Sequence, residues 1–334
     1  MMLNSRIPRQ IIGRLLLAVA VYAFFAVRDA GFRGITNLYP LFDGFAFIGL
    51  VALGLSATMI AGELDLSVAS VATVAGIIAV KLVGWGLVPC VVVAVSICTV
   101  FGAIQGFVIS RLKISSLVFT VGTMIGGSGL AYIISHENAV AMSVAHLDVS
   151  DKVGGKIWVF SPFSLTTIGV FIVVGLFLAM NRYGREIFAI GGGRVEAVSA
   201  GVSVVRPIVI AFALSAGLAG LAGVLVSLEA GAADPGGFPT LLLDGVTAAL
   251  VGGVSLYGGE GSVVGVAIGV MTLQILVSGI SIEGAPFYVQ SLATGALLLA
   301  VLILEATAER SGFGAGLRRL RGRLSGTVPA RGHV

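Results

Sequence analysis

Polar side chains are rare enough along this chain to act as punctuation. Apolar runs such as "LLLAVAVYAFFAV" (15–27) and "TTIGVFIVVGLFLAM" (166–180) alternate with short stretches rich in Arg, Asp, Gly and Pro. Runs of roughly 17–25 residues cross a bilayer core as α-helices. The pattern predicts spans at 11–27, 43–61, 66–83, 88–110, 117–135, 163–180, 207–228, 240–256, 262–282 and 286–304. Long continuous runs are not the ten-residue alternating strands of a membrane barrel. The expected fold is therefore all-α and polytopic, with about ten transmembrane helices in one domain over residues 1–334. Its spans occupy about 11–135 and 163–304, with a cytoplasmic loop at 181–206 and a basic tail at 305–334.

Composition strengthens this picture. Of 334 residues, 57% are hydrophobic and 11% charged, against about 25% charged in a soluble domain, and the mean hydropathy is +1.08. The 48 glycines fit helices that approach closely where lipid gives no hydrophobic drive. The first segment has the basic start and apolar core of a signal peptide, but its flank "VRDAGFRGITNLYP" offers no small-residue cleavage site, so it reads as a retained span. Cys90 and Cys98 lie within one apolar run at a spacing that matches no metal-ligand pattern. No metal and no cofactor is expected.

Charge sets the expected orientation. With a cytoplasmic N-terminus, fifteen of the twenty lysines and arginines fall in cytoplasmic segments, as the positive-inside rule requires. Arg28, Arg33, Lys81, Lys152 and Lys156 remain outside, among Asp29, Glu137, Asp148, Asp151 and Asp234. An even number of spans then puts both termini in the cytoplasm. The net charge of +4 calls for no nucleic acid, because the basic tail at 310–331 sits where anionic lipid headgroups attract it.

A short internal echo links "ATMIAGELDLSVASVATVAG" (57–76) to "AALVGGVSLYGGEGSVVGVAIG" (248–269). In each an apolar segment ends at a glycine (Gly62, Gly253), a linker holds a leucine (Leu66, Leu256), and a span opens after a serine (Ser70, Ser262). The copies lie six spans apart and share one orientation, so they do not define two inverted halves.

Several chemistries are excluded. "GGSG" (126–129) has the form of an intramembrane serine nucleophile, but none of His136, His146 and His333 lies in a later span to act as base. The Gly-x-Gly-Asp pattern of an aspartyl dyad is absent, and "GEGSVVG" (259–265) is too long for a dinucleotide fingerprint and lies between spans. None of the four lysines completes a phosphate-cradling P-loop. No enzyme is expected, and ATP-driven transport needs a separate ATPase chain.

Such a chain needs a docking surface, and the loop "NRYGREIFAIGGGRVEAVSAGVSVVR" (181–206) is the best candidate. Gly191, Gly192 and Gly193 break the incoming helix, "RVEAVSA" forms two helical turns, and Gly201 suits their end. Val195, Val198 and Val202 then share one face. A helix lying on the headgroups is the alternative.

The same stretch, "GREIFAIGGGRVEAVSAGVSV" (184–204), resembles the loop of ribose/sugar-type ABC transporter permeases. The resemblance continues through "GELDLSVAS" (62–70), "KISSLVFTVGTM" (113–124), "SAGLAGLAGVL" (215–225) and "LVGGVSLYGGEGSVVGVAIG" (250–269), covering about residues 45 to 304. It implies a multi-pass subunit of a bacterial inner-membrane importer. It also implies three partners: a second copy of the chain, a cytoplasmic ABC ATPase and a periplasmic substrate-binding protein. By it, Gly184, Arg185, Ala189, Gly191, Gly192, Ala197 and Gly201 form the coupling segment, and Gly193 and Glu196 in the same loop are added as candidates although they depart from the family pattern. The resemblance also makes Gly62, Asp65, Leu66, Ser67 and Ser70 the membrane-embedded motif, and with Glu63 beside them and Gln105 and Thr120 on neighbouring spans they are the candidate substrate path.

Glu63 departs from the family pattern, standing where a second glycine is usual. Gly193, Glu196, Ala200 and Ser115 replace an asparagine, an alanine, a serine and a proline. An intramembrane carboxylate costs at least about 2.5–3.5 kcal/mol at helix centre unless it is partnered or wet. Gly62–Asp65 is therefore expected to break two spans, with Asp65 capping a helix that begins at Leu66. Glu63 is left unexplained by the cap. A monosaccharide is the expected solute, and the extra charge leaves a cationic or polyhydroxylated amine open. The alternative is an ion-coupled secondary transporter using Glu63, Asp65, Asp244 and Glu260 as a relay.

Overall fold

The computed structural model describes residues 6–324. Two helices open the chain, α1 (Arg6–Arg28) and α2 (Ile35–Ile60), and the first helix break leads into α3 (Val68–Leu82). Then come α4 (Leu87–Leu112), α5 (Ser116–Ser135), the short strand β1 (Val140–Ala141), the surface helix α6 (Asp148–Gly154) and α7 (Pro162–Met180). Two loop helices, α8 (Arg182–Gly192) and α9 (Arg194–Ser199), precede α10 (Val205–Ala230) and β2 (Ala232–Ala233). The chain closes with α11 (Leu241–Val251), α12 (Val263–Ile282) and α13 (Phe287–Leu324). The basic tail expected at 310–331 falls on the end of α13 and on residues outside those described.

Among the described residues nine helices are long and apolar enough to cross a membrane. The tenth expected span is corrected. The segment 240–256 holds only the 11-residue α11, which at 1.5 Å per residue covers about half a bilayer core. The helix cannot extend either way: Pro235, Gly236 and Gly237 precede it, Gly237 with φ +65°, and it ends into Gly252 and Gly253, the latter with φ +74°. In the stretch before the helix, Phe238 packs edge-on to Phe47 at a centroid distance of 5.0 Å, and Pro235 is buried, while Asp234, Gly236 and Pro239 are exposed. The second span also starts earlier than expected, at Ile35, and runs through Pro40. Its polar residues, which read as loop, are partnered inside the protein: Ser278 donates to Asn37 and Ser161 donates to Asp43.

α10 is the central helix, packed against α2, α3 and α4. Small residues make this possible. A Cβ on Gly223 would stand 1.9 Å from the Ala72 carbonyl oxygen, so α10 and α3 touch backbone to backbone, the close approach that membrane helices use. A second apolar cluster of Phe25, Phe32, Leu41, Ile275 and Ile280 fastens the α1–α2 hairpin to α12.

The connections gather at two ends. At the ribbon end, β1 pairs antiparallel with β2, Met142 N–H donates to the Gly231 carbonyl, and Arg28 pairs with Glu283. At the break end, the α2–α3, α4–α5, α8–α9 and α11–α12 connections meet. Leu64 N–H reaches Ser116 Oγ, and Gly259 N–H donates to the Ile60 carbonyl at 2.8 Å. The basic connections Arg111–Lys113 and Arg182–Arg206 share this end.

The sequence echo corresponds to matched backbone geometry. Gly62 (φ +77°) and Gly253 (φ +74°) each follow a helix end. Gly62 N–H bonds Met59 and Glu63 N–H bonds Thr58, while Gly253 N–H bonds Leu250 and Val254 N–H bonds Ala249. Both are Schellman caps with glycine in the left-handed position.

Candidate functional site

The first break is organised by a buried carboxylate. Asp65 is fully buried. One of its oxygens accepts Ser67 N–H at 3.0 Å and Ser67 Oγ–H at 2.6 Å, and the other accepts Ser215 Oγ–H at 2.8 Å. The helix begins at Val68 rather than at Leu66, so Asp65 caps the turn that leads into α3 instead of its first helical residue. The shift arises because Asp65 binds the N–H two residues on and also reaches across to α10.

The network extends further. Gln105 on α4 donates to Ser67 Oγ at 3.1 Å, and Thr123 on α5 donates to Gln105 Oε1 at 3.1 Å. Thr120 is buried and donates to the Ser116 carbonyl. Ser70 donates to the Ser67 carbonyl and faces Gly127. Asp65, Ser67 and Gln105 thus join one buried polar cluster tying α10, α3, α4 and α5, with Ser70 and Thr120 beside it. Such a cluster is high-stakes, since an unpaired member in a dry interior is costly. Ser215 and Thr123 were not singled out from sequence. Ser215 does lie in "SAGLAGLAGVL", and nothing local to it signals a partner 150 positions away.

Glu63 lies apart from this cluster. Its carboxylate faces the loop and pairs with Arg194 Nη2 at 2.5 Å, so its charge is already matched. Gly62 presents its backbone to Gly191 of α8. A Cβ on Gly191 would stand 1.7 Å from the Ile60 carbonyl oxygen and 2.6 Å from Gly259 N. The loop is therefore wedged against both breaks at once.

Within the loop, α8 continues through Gly192 and breaks only at Gly193, while α9 ends in a third Schellman cap: Gly201 (φ +83°) N–H bonds Val198 and Val202 N–H bonds Ala197. Ala197 is buried, Glu196 is exposed, and Val195 and Val198 are 75% and 48% exposed. Gly184 lets α8 turn tightly on α7, where a Cβ would meet the Phe177 carbonyl at 2.5 Å, and Arg185 donates to the Met180 carbonyl. Glu186, not singled out from sequence, is buried and accepts from Arg182 at 2.9 Å, with Arg206 3.9 Å from its second oxygen.

Each of the four acids of the ion-relay alternative has its own surroundings: Asp65 accepts three hydrogen bonds, Glu63 is paired with Arg194, Glu260 lies near Arg14 on α1, and Asp244 sits in the first turn of α11. Among the described residues no group of His, Cys, Asp and Glu is placed to hold a metal ion.

Comparison with known proteins agrees with this architecture. A family described as "Branched-chain amino acid transport system / permease component" matches residues 41–302. The chain is 32% identical over 261 residues to the inner membrane ABC transporter permease protein YjfF of Escherichia coli K12, covering 75% of this chain and 77% of that one. It is 30% identical over 263 residues to the L-arabinose ABC transporter permease protein AraH of Azospirillum brasilense, covering 78% and 77%. It is 27% identical over 263 residues to the ribose import permease protein RbsC of Haemophilus influenzae, covering 77% and 81%. No solved structure matches. Members of this family are transport subunits rather than enzymes. The chain belongs to the family of branched-chain amino acid transport system permease components.

Proposed function

We propose that this protein is the membrane-spanning subunit of an ATP-driven importer in a bacterial inner membrane. It works as a pair of copies, takes a monosaccharide from a periplasmic binding protein and passes it to the cytoplasm. Both termini lie in the cytoplasm, which puts the break end inside. The relatives named for ribose, L-arabinose and xylose support the solute class. The observation that carries the coupling reading is the wedging of Gly191 between the Ile60 carbonyl and Gly259.

Any push on α9 reaches both breaks through that wedge and through the Arg194–Glu63 pair. The exposed Val195 and Val198 offer the apolar patch on which an ATPase would press. Closure of the ATPases on ATP would tilt the helices about the breaks, a rigid-body switch of access rather than a covalent step.

The test is co-purification and uptake in liposomes holding the permease, its ATPase and its binding protein. Val195→Asp with Val198→Asp should abolish ATPase binding and sugar uptake while leaving the permease folded. Full uptake by the permease alone would sink the reading in favour of an ion-coupled carrier.

A further inference from the structure

α11, α12 and α13 enclose a cleft of about 180 Å³ that is separate from the break-end cluster. It runs from Phe287, the first residue of α13 at the ribbon end, down to Ile48 in the middle of α2. Thr240 and Asp244 line it where the unwound 234–240 chain becomes the half-length α11. Gln290 and Thr294 line it from α13, one turn apart. A discontinuous helix whose start opens into a cavity at mid-bundle is how many membrane carriers build a solute site.

Three side chains in the cleft have unspent hydrogen-bonding capacity. Thr294 is only 8% exposed, yet it is the one buried threonine among the described residues whose hydroxyl has no hydrogen-bond partner. A helical threonine ordinarily bonds the carbonyl a turn back, as Thr247 and Thr272 do here. Gln290 likewise has no hydrogen bond among the described residues, and Asp244 has no ion pair there, only the Thr240 hydroxyl beside it. A carboxylate and a free carboxamide facing lipid would be costly, so this cleft is wet or filled.

We infer that the cleft is a way-station for one neutral monosaccharide ring. The inference rests on the sugar-importer reading and adds where in the permease the sugar is held. Asp244 accepts from sugar hydroxyls, Gln290 and Thr294 both donate and accept, and the exposed Phe287 ring gives an apolar face for the C–H side of the sugar. Among the described residues no Lys, Arg or His lines the cleft, so sugar acids and sugar phosphates find no counter-charge there. At about 180 Å³ it lies below the roughly 300–1,000 Å³ of drug-sized pockets, which suits a single ring and excludes oligosaccharides.

The experiment measures uptake by the complete transporter in liposomes, wild type against Thr294→Val and Gln290→Leu. The probes are radiolabelled D-ribose, L-arabinose and D-xylose, with the deoxy analogues of the best-carried sugar. The binding protein contributes equally to every comparison, so a change in the ratio of sugar to deoxy analogue reads the permease alone. Uptake of the best sugar should fall about tenfold in each variant, and its advantage over one deoxy analogue should shrink in step. ATPase assembly and ATP hydrolysis without solute should be unchanged. An unaltered ratio, whether or not uptake slows, overturns the cleft and leaves the importer standing. A wild type that carries none of these sugars overturns both.

Discussion

Ser215, in the middle of α10, donates a hydrogen bond of 2.8 Å to the buried carboxylate of Asp65 in the α2–α3 break. The contact ties the central helix to the point where two membrane helices are interrupted. Hydrogen bonds to charged groups contribute about 1.5–3 kcal/mol, and a partner left unsatisfied costs more than a bond never made.

Ser215→Ala should therefore lower stability by about 1.5–3 kcal/mol. Asp65→Asn, which keeps shape and some acceptor capacity, should cost less than Asp65→Ala. Thermal unfolding of the purified permease in detergent checks both, and an unchanged melting temperature for Ser215→Ala would mean the bond does not hold the break.

Glu63 and Arg194 offer a charge-swap test. Glu63→Arg alone places two cations face to face and should reduce ATP-driven uptake severalfold. Adding Arg194→Glu should restore most of it, because the pair is re-formed with its charges exchanged. Glu63→Gly should weaken uptake without altering substrate range. A changed range would return Glu63 to solute selection.

Gly223 and Gly169 form a matched contrast. A methyl group at Gly223 meets the Ala72 carbonyl oxygen at 1.9 Å. Gly223→Ala should cost at least about 1–3 kcal/mol and reduce the yield of monodisperse protein. At Gly169 a Cβ finds nothing within 4 Å, so Gly169→Ala should be neutral or stabilise α7 by up to about 1 kcal/mol. Equal behaviour of the two variants would argue against backbone-to-backbone packing of α10 on α3.

Topology can be read with thiol reagents. Cys90 and Cys98 are buried and should resist an impermeant maleimide. Val195→Cys and Phe287→Cys sit at exposed positions on the break and ribbon ends. The first should label only from the cytoplasmic side and the second only from outside. The reverse pattern would invert the proposed orientation.

Much of this protein could be read from order along the chain. Membrane helices satisfy their backbone internally, so each long apolar run announces itself, and the density of arginine and lysine sorts the loops into the same two groups that the structure gathers at two ends. Local signals also located Gly62, Gly201 and Gly253, because a left-handed helix cap has a strong preference for glycine. They failed at 240–256, where the apolar run continues past Gly252 and Gly253 although the helix ends at Val251. They failed also at Ile35–Phe42, whose polar residues are partnered inside the bundle.

The sequence by itself determined an all-helical membrane subunit, the positions of its breaks and the loop that meets them. Only the tertiary structure decided what the acids do, because a carboxylate's role depends on which donors reach it. Ser215 came to Asp65 from 150 positions away and Arg194 to Glu63 from 131. Thr294, with no hydroxyl partner among the described residues, lines the same cleft as Asp244, and such separations along the chain leave no periodicity or motif from which the pairings could be foretold.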